Sequence, residues 1–179
     1  MRIKIFTTGG SIDKYYATEE SAFVVGDPAI ARILDEGNVT LSWEIEPLFR
    51  KDSLDITDED RLLIVERVKA VEHTHIIITH GTDTMIDTAR ALSAVQGKTI
   101  VLTGAMQPAA FRQTDAGFNV GCAFLAVQLL PDGVYIAMNG RLFDPREATK
   151  NVTMARFERS QTQPAVRASP GRRDSANPP

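Results

Sequence analysis

Four short stretches of this chain bring hydroxyls, carboxylates and glycines together: Thr7-Thr8-Gly9-Gly10-Ser11, Thr79-His80-Gly81-Thr82-Asp83-Thr84, Thr103-Gly104-Ala105-Met106 and Asn139-Gly140-Arg141. Ser and Thr can supply a nucleophilic hydroxyl, Asp can recognise a cation, and glycine lets backbone N–H groups come close to a ligand. One such stretch is an ordinary turn. Four of them describe the rim of a small polar pocket suited to hydroxyl chemistry. Gly9-Gly10 lacks the G-x-G-x-x-G spacing of a dinucleotide site, and no Gly-Lys-Ser or Gly-Lys-Thr closes a phosphate-cradling loop. No Cys/His set has the spacing of a zinc or iron–sulfur site, so neither a metal nor a cofactor is expected.

The elements that must position these residues are legible as hydrophobic periodicity. Apolar runs at residues 2–7, 74–79, 98–103 and 133–138 are short, rich in Ile and Val and bounded by turn residues, which predicts buried parallel strands. Thr40 to Phe49 is expected to add another strand. Ile64, Val65, Val68 and Val71 follow helical spacing behind a Thr57/Asp60 cap, and residues 84–95 and 115–129 also read as helices. Cys122 falls on the last of these, where a small hydrophobe packs well. Residues 13–26 read as a loop. The alternation predicts an α/β fold: an open, mostly parallel twisted sheet flanked by helices on both faces, a Rossmann-like or flavodoxin-like three-layer arrangement. Ligands of such sheets bind beyond the carboxyl ends of the strands, where the four stretches fall.

The composition, 43% hydrophobic and 24% charged with a net charge of -3, is that of an ordinary globular protein and does not suggest a nucleic-acid partner. The single cysteine excludes an internal disulfide framework and suits a reducing compartment. Met1 to Phe6 runs into a glycine turn without an apolar h-region, and no stretch is long enough to span a bilayer, so a cytoplasmic location without a membrane partner is expected. One domain over residues 1–158 is expected, followed by a flexible polar tail over 159–179 that carries Arg167, Arg172 and Arg173.

Thr8-Gly9-Gly10-Ser11-Ile12 and His80-Gly81-Thr82-Asp83-Thr84-Met85 resemble the two signature motifs of L-asparaginases. The likeness continues through Gly104-Ala105-Met106-Gln107-Pro108, Asp115 to Asn119 and Asp144 to Lys150, and covers residues 1 to about 158, without the family's C-terminal domain. The resemblance implies hydrolysis of L-asparagine to L-aspartate and ammonia through an acyl-enzyme, with weaker action on L-glutamine, and assembly as a homodimer or homotetramer. It implies that Ser11 is the nucleophile, that Thr82, Asp83 and Lys150 are catalytic, and that Ser53 meets the substrate carboxylate. Substrate contacts are implied for Gly10, Asp52, Ser53, Gly81, Thr82, Asp83, Ala105 and Met106.

Three departures from the family pattern stand out. Ser11 keeps the hydroxyl of the usual threonine but loses the methyl that restricts its rotamer. Phe23 aligns with the family's loop tyrosine and has no hydroxyl; Tyr16 is the substitute, with Tyr15 the other candidate. The acidic residue that relatives borrow from a neighbouring C-terminal domain has no counterpart. Proton removal from Ser11 then falls to Lys150 beside Thr82 and Asp83, or to the Tyr16 phenol, while N–H groups at Gly10 and around Thr82 would meet the oxyanion. His80 is read as hydrogen-bonded scaffolding, and His73 and His75 are given no role. The departures leave two other readings open: a non-catalytic amino-acid-binding module, and the amidase part of a larger amidotransferase.

Overall fold

The structure, a computed structural model, describes residues 1–160; the tail expected from residue 159 lies, from 161 onward, outside the described residues. The chain runs β1 (Arg2–Gly9), β2 (Lys14–Ala17), β3 (Ala22–Val25), α1 (Ile30–Glu36), β4 (Ser42–Lys51), α2 (Asp58–Ala70), β5 (His75–Thr79), α3 (Met85–Leu92), β6 (Thr99–Thr103), α4 (Ala116–Leu129), β7 (Gly133–Met138), β8 (Arg141–Phe143), β9 (Ala148–Asn151) and β10 (Arg156–Arg159). The main sheet has the order β4-β1-β5-β6-β7-β8. Its first five strands are parallel and β8 returns antiparallel to β7. Asn139 and Gly140 make that return with φ of 52° and 71°, the left-handed pair that a tight two-residue hairpin turn requires.

Strand residues alternate between two cores. Ile3, Ile5, Ile77, Val101 and Ala137 face α1 and α4. Phe6, Ile76, Ile78, Ile100, Leu102, Ile136 and Met138 face α2 and α3. Both faces of the central strands are therefore buried, which is why their sequences read as unbroken apolar runs. The predicted α/β architecture is the observed one. No helix of the described residues is long and apolar enough to cross a membrane.

The segment read as a loop, residues 13–26, is instead a β-hairpin, β2 against β3, paired Lys14↔Val25, Tyr15↔Val24 and Tyr16↔Phe23. Its residues are aromatic and β-branched, as strands prefer. Tyr15, Tyr16 and Phe23 stay about half exposed, however, so the polar/apolar alternation that marks a half-buried strand is missing. Asp13 closes the base: its carbonyl accepts the Gly26 N–H and its Oδ1 the Ala29 N–H, both at 2.8 Å. Burial pushes the Asp13 carboxyl up to about 7, against the opposing pull of the Ala29 hydrogen bond and the Arg50 charge.

Both the helix cap and the buried carboxyl should be visible in stability measurements. Thr57 and Asp60 form a reciprocal capping box at the start of α2, and Thr57→Ala should lower unfolding free energy by about 1 kcal/mol in a denaturant titration. Asp13 ionises less readily folded than unfolded, so its contribution to stability is complete below pH 4 and is lost as pH rises through about 7. Asp13→Asn keeps the acceptor for Ala29 without the charge. Its stability relative to wild type should rise between pH 4 and 7, by about 4 kcal/mol at most, and stay level above that. A pH-independent difference in Tm would contradict the burial argument.

Candidate functional site

Three strand ends meet with almost nothing between them. Gly10, with φ of 85°, lies so close to β5 that a Cβ there would fall 2.3 Å from Gly81 Cα. A Cβ on Gly81 would in turn fall 2.6 Å from Ser53 Oγ. The Gly10 N–H donates to the Lys51 carbonyl at 2.9 Å, fastening the end of β1 to the end of β4. Any side chain at Gly10 or Gly81 would hold these turns apart. Ser11, Ser53 and Thr82-Asp83 are thereby gathered at the carboxyl ends of β1, β4 and β5. Because the Gly10 N–H is already donating, it is not available to an oxyanion; that expectation is corrected, and Gly10 contributes close approach instead.

Ser53 is buried and held from two sides: the Asp83 N–H donates to its Oγ at 3.3 Å and Thr84 Oγ1 donates to its carbonyl at 2.6 Å. Asp52 opens the same turn, with one oxygen accepting the Leu54 N–H at 3.1 Å and the other paired with the Lys14 ammonium. Burial raises the Asp52 pKa, but the Lys14 hydrogen bond, the Leu54 N–H and the charges of Lys14 and Lys150 outweigh it and hold the carboxyl below its ordinary range. Asp52 is thus already committed to a cation of the chain itself.

Lys150 reaches the crevice from the opposite side. It lies on β9, where it pairs with Phe157 of β10, and that ring is buried 6.1 Å from Phe143. Its Nζ donates to Thr82 Oγ1 at 2.7 Å and to Asp83 Oδ1 at 2.6 Å. Because the lysine donates to Thr82, the threonine's own proton is free to point elsewhere and Lys150 fixes the orientation of this hydroxyl. Asp83 remains 40% exposed and so keeps acceptor capacity for a ligand cation.

The third turn, with Ala105 and Met106, is positioned by polar groups at the start of α4. The Asp115 carboxylate accepts the N–H groups of Met106 and Gln107 at 3.1 and 3.0 Å. Buried Asn119 donates to the Gly104 carbonyl at 3.0 Å and accepts the Asn139 N–H at 3.0 Å. Asn139 Oδ1 accepts the Phe157 N–H at 2.8 Å, so one chain of amides connects the rim to β10, the strand paired with that of Lys150. Asn139 therefore serves as scaffold, not as rim. His80 is fully buried, with Nδ1 on the Gly81 carbonyl and Nε2 on Thr88 Oγ1, both at 2.8 Å. A carbonyl only accepts, so Nδ1 carries the proton. Burial lowers the His80 pKa to about 4, leaving a neutral ring with both nitrogens occupied.

Ser11 opens a 3-10 turn, Ser11–Asp13, which feeds directly into the hairpin. Tyr16 and Tyr15 occupy opposite faces of β2, which separates the two candidates. Tyr15 packs against Gly26. Tyr16 shares a face with Lys14 and lies edge-on to Phe23 at 5.4 Å, and Phe23 in turn meets Phe111 at 5.6 Å. The substitute tyrosine and the phenylalanine in the expected tyrosine position are direct cross-strand partners. The contribution of Lys14 was not legible, because a lysine three residues after Ser11 carries no signal until the fold brings it to Asp52.

Comparison with known proteins agrees with this geometry. The sequence profile described as "Asparaginase, N-terminal" matches residues 2–174. The chain is 31% identical over 167 residues to the probable periplasmic L-asparaginase of Haemophilus influenzae, covering 86% of this chain and 47% of that protein. It is 32% identical over 158 residues to one component of the glutamyl-tRNA(Gln) amidotransferase of Methanococcus vannielii, covering 79% of this chain and 35% of that one. The thermostable L-asparaginase of Thermococcus kodakarensis superposes with a TM-score of 0.76 at 26% identity, over 89% of this chain and 51% of the other. The chain thus spans about half the length of the L-asparaginases it matches. With the profile spanning nearly all of its length, and with its glycine-packed crevice between β1, β4 and β5, this chain belongs to the asparaginase family through that family's N-terminal domain.

Proposed function

We propose that this chain is an amidohydrolase that converts L-asparagine to L-aspartate and ammonia, with weaker action on L-glutamine. The observation that carries the proposal is the bonding of Lys150 Nζ to both Thr82 Oγ1 and Asp83 at the end of β5, beside the end of β1 that Ser11 follows. In this reading Ser11 Oγ attacks the side-chain amide carbon, and its proton is handed on by the Thr82 hydroxyl, which Lys150 orients, or by the Tyr16 phenol, each giving up its own proton toward the amide nitrogen as it takes one. The tetrahedral intermediate collapses as the amide nitrogen takes up a proton and leaves as ammonia. Water then attacks the ester on Ser11; one of its protons returns to the serine oxygen as aspartate departs, and the other ends on the released ammonia as ammonium. With the Gly10 N–H engaged, the backbone around Thr82 supplies the oxyanion donors. Ser53 receives the substrate α-carboxylate through its hydroxyl and neighbouring N–H groups, and Asp83 receives the α-ammonium.

The similarity to an amidotransferase component favours a second reading, in which the same site supplies ammonia within a larger assembly. A partner protein that co-purifies and raises glutamine turnover would mark it. The hydrolase reading is proposed to operate in the cytoplasm in a homodimer or homotetramer, since a crevice at an open sheet edge gains from a neighbour's cover.

Purified protein incubated with L-asparagine and, separately, L-glutamine should release ammonia, faster from asparagine. Ser11→Ala and Lys150→Met, each with its fold verified, should lower kcat by roughly 100-fold or more. Ser11→Thr should keep activity at or above wild type, because it retains the hydroxyl and restores the rotamer-restricting methyl. Saturable asparagine binding without ammonia release would instead establish a binding module.

A further inference from the structure

Lys14 opens the hairpin three residues after Ser11 and pairs across it with Val25. Its ammonium donates to the Asp52 carboxylate, and the two side chains are only 26% and 28% exposed. Asp52 is fixed in turn by the Leu54 N–H, at the start of the turn that carries buried Ser53. One ion pair therefore joins the strand leaving the nucleophile to the turn that lines the far side of the crevice. At this degree of burial it is less screened than a surface pair.

The direction of the hairpin makes the pair consequential. Strand alternation puts Lys14, Tyr16, Phe23 and Val25 on one face. At its lower end that face presses on the end of β1, where a Cβ on Gly9 would fall 2.9 Å from Val25 Cγ1. The face that Lys14 turns toward Asp52 is thus the face that bears the Tyr16 phenol. Asp13 anchors the base of the hairpin by Gly26 and Ala29. The Arg50–Asp27 pair beyond it is exposed on both sides. Nearer the tip, Phe23 rests on Phe111.

We propose that Lys14 is a positioning residue, whose ion pair with Asp52 holds the Tyr16 face of the hairpin over Ser11. The proposal rests on the hydrolase reading above. Asp52 then serves the hairpin and does not bind the substrate ammonium, because its charge is met by Lys14. Without the pair, the contacts of its base and the Phe23–Phe111 packing are left to hold the hairpin, and a shift of about 1 Å in a group that assists the nucleophile costs on the order of 100-fold in rate.

The test is a double-mutant cycle on ammonia release, read together with chymotryptic cleavage of the native protein at Tyr15, Tyr16 and Phe23. Lys14→Met and Asp52→Asn should each lower kcat by about 10-fold or more, with KM within about 2-fold, and Lys14→Arg should recover most of the loss. In a Tyr16→Phe background Lys14→Met should cost less than about 2-fold, since the group it positions is gone. Cleavage in the hairpin should be faster in Lys14→Met than in wild type. Losses that multiply in the double variant, or a raised KM at unchanged kcat, would overturn the positioning role, the latter by showing direct contact with substrate. Equal cleavage would overturn the tether. If wild type released no ammonia, the hydrolase reading would fall and the catalytic half of the proposal with it, and the cleavage comparison alone would judge the tether.

Discussion

The site depends on a steric constraint: the ends of β1, β4 and β5 touch through backbone and one small side chain. Gly10 lies against Gly81, Gly81 against Ser53, and the Gly10 N–H is bonded to Lys51. Parallel strands sit roughly 4.8 Å apart within a sheet, and loops leaving their ends ordinarily splay. Here the glycines let the loops stay at strand spacing for one more residue. Hydroxyls and a carboxylate that lie far apart in the chain are consequently close enough to act on one small molecule.

Around that contact the remaining groups arrive from the two faces of the sheet. Lys150 comes from the side of α2 and α3, on a strand whose neighbour Phe157 is sunk in that core. The hairpin comes from the other side, where Ile12, at its root, is packed in the core of α1 and α4. Each arrival is secured by buried polar groups. Asn119 and Asn139 hold the β10 side, and Asp13 holds the hairpin base. A neutral, doubly bonded His80 stiffens the turn between them. A hydroxyl nucleophile needs its helpers placed to within a fraction of an ångström, and rigid anchoring on both faces is how this small sheet can provide that.

Much of this was legible from residue order. The Ile/Val runs that became β1, β5, β6 and β7 are largely buried on both faces, so their composition announces them, and Thr57 with Asp60 marked the start of α2. The hydroxyl and glycine stretches lie at the carboxyl edge of the sheet, as their positions after the apolar runs implied. Less was visible where burial is partial. The hairpin β2–β3 keeps its aromatic rings half in solvent, α1 spans only seven residues, and β9 and β10 are short strands with mixed polarity. Contacts between distant residues left no local trace: Lys14 with Asp52 lies 38 positions apart, and Asn139 serves Phe157 from a turn that reads as rim. The committed Gly10 N–H shows the same limit, since its composition fits an oxyanion donor and only the fold reveals the Lys51 carbonyl opposite.

The central claim is that the Ser11 hydroxyl becomes covalently joined to the substrate's acyl group. The most direct measurement is rapid acid quench of the protein during turnover of L-asparagine, followed by peptide mapping by mass spectrometry. The account predicts an added aspartyl group on the peptide containing Ser11, absent in Ser11→Ala and lost as the substrate is exhausted. Steady ammonia release by wild type with no adduct at any quench time, or an adduct on a different residue, would contradict it.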